Sequence, residues 1–150
     1  MSYERQVAIA ILYQKGRFLM QLRDNLPHIP AAGCWGFFGG HLEPGETPEE
    51  GLQRELQEEI NYTIRKPPIK LGEFPNEEHQ SLRHVFAVPL LVPLHELQLN
   101  EGWDMALLCP EDIVKGEFYS HKARQIRPLG FAHRKFLLDL IESNLVDWQC

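Results

Sequence analysis

Apolar positions along this chain of 150 residues change period several times, and each change marks an expected element. Val7 to Tyr13 is a continuous apolar run rich in β-branched residues, Gln14-Lys15-Gly16 reads as a turn, and Arg17 to Arg23 returns as a second strand. The pair predicts a hairpin with at least one strand buried on both faces. Asp24 to Cys34, with Pro27, Pro30 and Gly33, predicts a loop, and Trp35 to Gly40 a short strand. From Pro48 to Ile60 the period becomes helical, with Leu52, Leu56 and Ile60 at i, i+4 spacing. His84 to Val92 reads as a strand hairpinned to Leu71–Phe74 through Pro75-Asn76-Glu77-Glu78, with Pro89 confining its far end to an edge or bulge. Trp103 to Cys109 reads as a last strand and Pro110 to Val114 as one helical turn. Leu129 to Leu145, with Phe136, Leu137, Leu140, Ile141 and Leu145 at helical spacing, closes the chain as an amphipathic helix. This order predicts an α/β fold, a mixed β-sheet between helices.

The helix of 48–60 carries the candidate chemistry. Thr47-Pro48-Glu49-Glu50 has the form of a capping box with Pro at the first helical position, so the helix start is well specified. At about 100° per residue, with Glu55 at zero, Glu59 falls near 40° and Glu58 near 300°. Three acids therefore share one sector, along the edge of the apolar stripe. Like charges at i, i+4 repel by about 0.2–0.5 kcal/mol per pair. A solvated acidic face is the plain reading of such a pattern; a bound cation that offsets the repulsion is the functional one. Mg2+ and Mn2+ prefer carboxylate oxygens and share them with substrate phosphates. Gly51 falls on the acid face near 320°, where it costs about 1 kcal/mol relative to Ala and leaves room for a loop or ligand.

Gly40, five residues, Glu46, seven residues, Arg54-Glu55-Leu56, one residue and Glu58-Glu59 together resemble the signature of the Nudix hydrolases, which cleave nucleoside diphosphates linked to another moiety. Two places depart from it: Asn61 stands where the family has Gly, and Phe38 where it often has Pro. Asn is the next-best residue for a left-handed helix cap, so the first departure keeps the geometry. The resemblance implies an α/β/α sandwich and a divalent cofactor, Mg2+ or Mn2+, with Glu55, Glu58, Glu59 and the Gly39 carbonyl as ligands. It implies that metal-activated water cleaves the diphosphate. Arg54 and Glu46 are expected to fix ligand rotamers, through a bond from Arg54 to Glu58 or back to Glu46. Glu101 resembles a loop acid that acts as extra ligand or general base in relatives; a plain loop acid is the alternative. Arg23 resembles an arginine that contacts phosphate in some members, against an exposed strand-end charge. Trp35 and Phe37 are candidates to stack a nucleobase, and core packing is the other role open to them. His28 and His41 lie near the expected site without an assigned duty. A nucleotide-sensing module without turnover is the alternative function; such modules tend to lose a signature charge, and this chain keeps them all.

Composition narrows the partners. The length suits one domain, 1–150, burying about 68–70% of its unfolded surface. A formal charge of -6 without a basic run argues against a nucleic-acid polymer or an anionic membrane, and suits a small nucleoside diphosphate derivative only when metal neutralises the contact. Cys34, Cys109 and Cys150 form no pair motif, so neither a disulfide framework nor a zinc site is expected. No run reaches the roughly 18 apolar residues of a membrane span, and the N-terminus lacks a signal peptide's regions. A cytoplasmic location is the default expectation, and a homodimer is left open.

Overall fold

The computed structural model describes residues 5–77 and 80–149. They group into two compact units, the first comprising residues up to Ile11 and Phe38–Asn100, the second Leu12–Phe37 and the chain from Glu101 onward. Strand β1 (Arg5–Gln14) contributes to both. The α/β class is observed, and among the described residues no helix is long and apolar enough to cross a membrane.

In the first unit, the start of β1 pairs antiparallel with β4 (Phe38–His41), Val7 opposite His41 and Ala10 opposite Phe38. Helix α1 (Pro48–Ile60) follows, its bounds those expected. Strands β5 (Ile69–Asn76) and β6 (Ser81–Pro89) form an antiparallel pair, with β6 also bonded to β1. Their connection is shifted from the expected Pro75–Glu78: Asn76 opposes Ser81, so Pro75 sits within β5, opposite Leu82. An edge position explains this, since β5 ends the strand path and an edge tolerates a residue without an N–H. Glu78 lies outside the described residues. β6 stops at Pro89, whose carbonyl accepts the Tyr62 hydroxyl at 2.9 Å.

The second unit pairs the end of β1 with β2 (Arg17–Leu22), Leu12 opposite Leu19, and β2 with β3 (Trp35–Gly36) and β7 (Asp104–Leu108). The strand expected over Trp35–Gly40 is therefore two strands. Phe37 breaks it, because its N–H goes to His133 Nδ1 at 3.2 Å and its carbonyl to Gln21 Nε2 at 3.1 Å. Both of its backbone groups are spent on side chains, so neither joins a ladder. β7 is not the last strand. After helix α2 (Pro110–Lys115), β8 (Glu117–Ser120) and β9 (Gln125–Pro128) form a separate hairpin. Helix α3 (Phe131–Ser143) ends at a left-handed Asn144, which puts Leu145 outside it and 73% exposed rather than on the expected apolar stripe.

Candidate active site

Local sequence fixes the frame of the site. Glu43-Pro44-Gly45-Glu46 is a tight turn closed by Glu46 N–H on the Glu43 carbonyl at 3.0 Å, with Pro second and Gly45 third at φ +80°, the left-handed geometry that Gly supplies without strain. Thr47 Oγ1 accepts the Glu50 N–H at 3.1 Å and Glu50 Oε1 accepts the Thr47 N–H at 2.9 Å, which completes the capping box. At the other end Asn61 takes φ +57°, and its N–H and that of Tyr62 return to the Gln57 and Leu56 carbonyls. The remaining helix-end carbonyls are met by another segment. Gln98 N–H donates to Ile60, Asn100 N–H to Glu59 at 2.8 Å, and Asn100 Nδ2 to Glu58 at 2.9 Å. Sequence reasoning missed Asn100, because nothing local marks a residue that serves a helix end some forty positions earlier.

Between these ends Arg54 organises the acids. Its Nε and Nη2 grip Glu46 with two bonds, at 2.8 and 3.0 Å. Nη1 donates to Glu55 Oε1 at 3.0 Å and to Glu58 Oε2 at 3.3 Å, while Nη2 also donates to the His41 carbonyl at 2.9 Å. Both expected bonds, to Glu58 and to Glu46, are present together. Arg54 holds the Glu46 carboxyl down at about 2, helped by the Glu43 N–H that Glu46 also accepts. Glu46 in return pushes the guanidinium above its usual value, with Glu55 adding to the effect.

The three helix acids sit at different depths. Glu58 is 55% exposed on its side chain, Glu55 is mostly covered, and Glu59 is 3% exposed, its Oε1 accepting the Gly39 N–H at 3.1 Å. Two glycines make the packing of this face possible. A Cβ on Gly40 would lie 2.5 Å from the Glu55 carboxyl carbon, so only a bare backbone lets that carboxylate approach. The room expected at Gly51 is taken by the signature loop: a Cβ there would collide with Leu42 and lie 2.9 Å from Glu46 Oε1.

The donor set fits a hard divalent cation, since Glu55, Glu58, Glu59 and the Gly39 carbonyl offer only oxygen. In the conformation described, each carboxylate answers a protein donor: Glu55 and Glu58 turn to Arg54, and Glu59 to Gly39. Among the described residues no three acids, histidines or cysteines stand close enough together to cage a cation as they are. Side-chain rotation at Glu58, the most exposed of the three, is the smallest change that would free a ligand.

Arg23, Trp35, Phe37 and Glu101 belong to the second unit. Trp35 is fully buried and donates its indole N–H to the Phe118 carbonyl at 3.1 Å. Phe37 is 8% exposed, its ring 4.8 Å from that of His133. Both rings pack in the core, the other role the sequence left open for them. Arg23 is partly buried, its Nε without a hydrogen-bond partner among the described residues, and Glu101 is exposed.

Comparison with known proteins agrees with the signature. A family model described as NUDIX domain matches residues 2–140. An ADP-ribose pyrophosphatase of Methanocaldococcus jannaschii is 27% identical over 129 residues, which cover 86% of this chain and 68% of that protein. The nucleoside triphosphatase NudI of Escherichia coli is 26% identical over 123 residues, covering 74% of this chain and 86% of its own. Among solved structures, a MutT NUDIX hydrolase from Burkholderia pseudomallei superposes with a TM-score of 0.68 at 21% identity, covering 89% of this chain and 95% of that one, which shows the shared fold. The match over nearly the whole chain settles its membership: this protein belongs to the Nudix family.

Proposed function

We propose that this Nudix enzyme hydrolyses the diphosphate linkage of a nucleoside diphosphate derivative, with Mg2+ or Mn2+ held by Glu55, Glu58, Glu59 and the Gly39 carbonyl. The observation that carries the reading is the set of five bonds from Arg54, which keeps Glu46, Glu55 and Glu58 together on one side of α1. A helix would not gather repelling carboxylates around one partly buried guanidinium for stability alone, because a hydrophobic replacement of such a cluster is often as stable. When bound, the cation supplies Lewis acidity toward the phosphoryl oxygens and a more acidic water. Water adds to one phosphorus and the bridging oxygen leaves, giving a nucleoside monophosphate and a phosphorylated remainder.

The chain's own residues do the rest. Arg54 fixes the carboxylates before substrate arrives, which removes that ordering cost from the reaction. Glu58, the acid most open to solvent, is placed to exchange its Arg54 contact for the cation. Glu101 accepts the proton of the attacking water in this reading, and Arg23 contacts a phosphate. The relatives named above are an ADP-ribose pyrophosphatase and a nucleoside triphosphatase, so nucleotide sugars and nucleoside triphosphates, oxidised ones included, lead the candidate substrates.

The test is a panel of nucleoside triphosphates and nucleoside diphosphate derivatives, ADP-ribose among them, incubated with Mg2+ or Mn2+ and resolved by chromatography. A nucleoside monophosphate is expected, paired with pyrophosphate from a triphosphate or with the phosphorylated remainder from a diphosphate derivative, and both should vanish on adding a chelator. Tight binding of one compound without cleavage under either metal would instead identify a sensor.

A further inference from the structure

The first unit contains a buried imidazole that the hydrolytic reading does not use. His84 on β6 is 4% exposed and stands directly opposite Glu73 of β5. Its Nε2 lies 2.8 Å from Gln6 Oε1 on β1. A carbonyl oxygen only accepts, so Nε2 carries the hydrogen and Nδ1 of the neutral ring is a bare lone pair. Among the described residues Nδ1 has no hydrogen-bond partner, and what it faces at 3.6 Å is another acceptor, Glu73 Oε1. That oxygen is held by Lys70 Nζ at 3.1 Å. The arrangement is incomplete as it stands, because one proton on Nδ1 would turn a pair of facing acceptors into a charge-assisted hydrogen bond.

We propose that His84 is a proton-operated latch: neutral, it fastens β6 to Gln6 alone; protonated at Nδ1, it also takes the Glu73 carboxylate, tying β5, β6 and the start of β1 through one ring. The junction matters because Gln6, which the ring holds in both states, borders the signature loop. Its carbonyl accepts the Leu42 N–H at 2.8 Å, and it lines a cavity of about 370 Å3 with Leu42, Glu43, Pro44, Gly45 and Glu46. The charged groups around the ring come from two elements: Lys70 and Glu73 on β5 and Glu49 on α1, while Gln6 on β1 is neutral. Burial, then Lys70, pushes the imidazole below its usual value, and Glu73 and Glu49 work against that shift. Lys70 keeps the Glu73 carboxyl below the ordinary carboxylate range, which favours the ionised carboxylate that faces the ring. The latch thus engages below the usual imidazole range, and Glu73 is what makes engagement attainable.

The sign of the stability effect is fixed. A histidine whose folded pKa lies below its unfolded value of about 6.5 makes the fold lose stability as pH falls through the unfolded value, and the loss stops below the folded one. Nitrogen-15 NMR of the histidine rings and thermal unfolding across about pH 4.5 to 8 test the proposal together. The expected result is an Nε2–H tautomer at neutral pH and a slowly exchanging Nδ1–H that appears on acidification. In Glu73→Gln the His84 midpoint should move to lower pH, with a deeper acid loss in Tm. His84→Gln keeps a donor for Gln6 but cannot titrate, and should lack this part of the acid loss. An Nδ1–H tautomer at neutral pH, or a His84 midpoint unmoved by Glu73→Gln, overturns the latch. Both of these readings use proteins that retain His84, so they stand even where His84→Gln fails to fold. Neither depends on turnover, which separates them from the proposed hydrolysis.

Discussion

Helices α1 and α3 have the same length, thirteen residues, and both end on a left-handed Asn, yet they are specified in different ways. α1 opens with a reciprocal capping box, closes on carbonyls met by Gln98 and Asn100, and buries five of its residues, one of them Glu59. α3 opens on Gly130 with no side-chain cap, buries Leu137 and Leu140, and leaves Phe131 80% exposed. Each has one arginine used for anchoring. Arg134 on α3 reaches carbonyls at the end of α2, whereas Arg54 on α1 reaches acids on its own helix and the preceding loop. The lesson is that a packing helix needs only a stripe, while a helix that presents chemistry has its ends and rotation fixed as well.

The largest expected effect breaks the comparison at its acids. Glu58→Gln on α1 removes a proposed cation ligand and should lower turnover by orders of magnitude, about 10²-fold or more, since a bound cation contributes several kcal/mol to such a reaction. Asp139→Asn on the exposed side of α3 should leave turnover unchanged; steady-state kinetics at saturating Mg2+ check both. Equal losses at the two positions would remove the chemical distinction between the helices.

Arg54→Lys comes next. Lysine keeps the charge but not the planar fork that holds Glu46 twice, so the metal-free protein should lose about 1–3 kcal/mol of stability by denaturant titration. Arg134→Lys should cost no more than about 1 kcal/mol, since its acceptors are neutral carbonyls that a lysine also reaches.

How much of this was legible depended on where each determinant lies. The bounds of α1 could be read because Thr47, Pro48, Glu50 and Asn61 act within a few residues of the ends they set. The grip of Arg54 on Glu46 and Glu58 could be read from helical angle and resemblance; its bonds to Glu55 and to the His41 carbonyl could not. The break at Phe37 was invisible, because the acceptor that causes it, His133, is 96 positions away. β8 and β9 escaped for a different reason: each has four residues, too few to show the apolar alternation that marks a strand.

A smaller effect concerns helix starts. Thr47→Ala removes the hydroxyl that accepts the Glu50 N–H and should cost about 1 kcal/mol, measured as a fall in Tm. α3 has no side-chain cap to lose, so the contrast between the helices should narrow by that amount.

The finest distinction is in acid. Glu46, held at about 2 by Arg54 from an ordinary value of 4.5, contributes stability that is fully present above the ordinary value and is lost as pH falls through the folded one. Unfolding curves between about pH 5 and 2 should therefore show an acid loss that Glu46→Gln reduces. An Asp139→Asn variant should keep the whole of it.

Arg54 has a further consequence that is a matter of valence. A guanidinium has five N–H bonds to give. Here all five are given, to Glu46 twice, Glu55, Glu58 and the His41 carbonyl. Without a cation, a phosphate arriving at this face finds a guanidinium with nothing left to donate; only an acid that turns away, as Glu58 is proposed to do, frees an N–H. Replacement of this arginine should therefore alter how the acids stand more than it removes a direct hydrogen bond to an incoming anion.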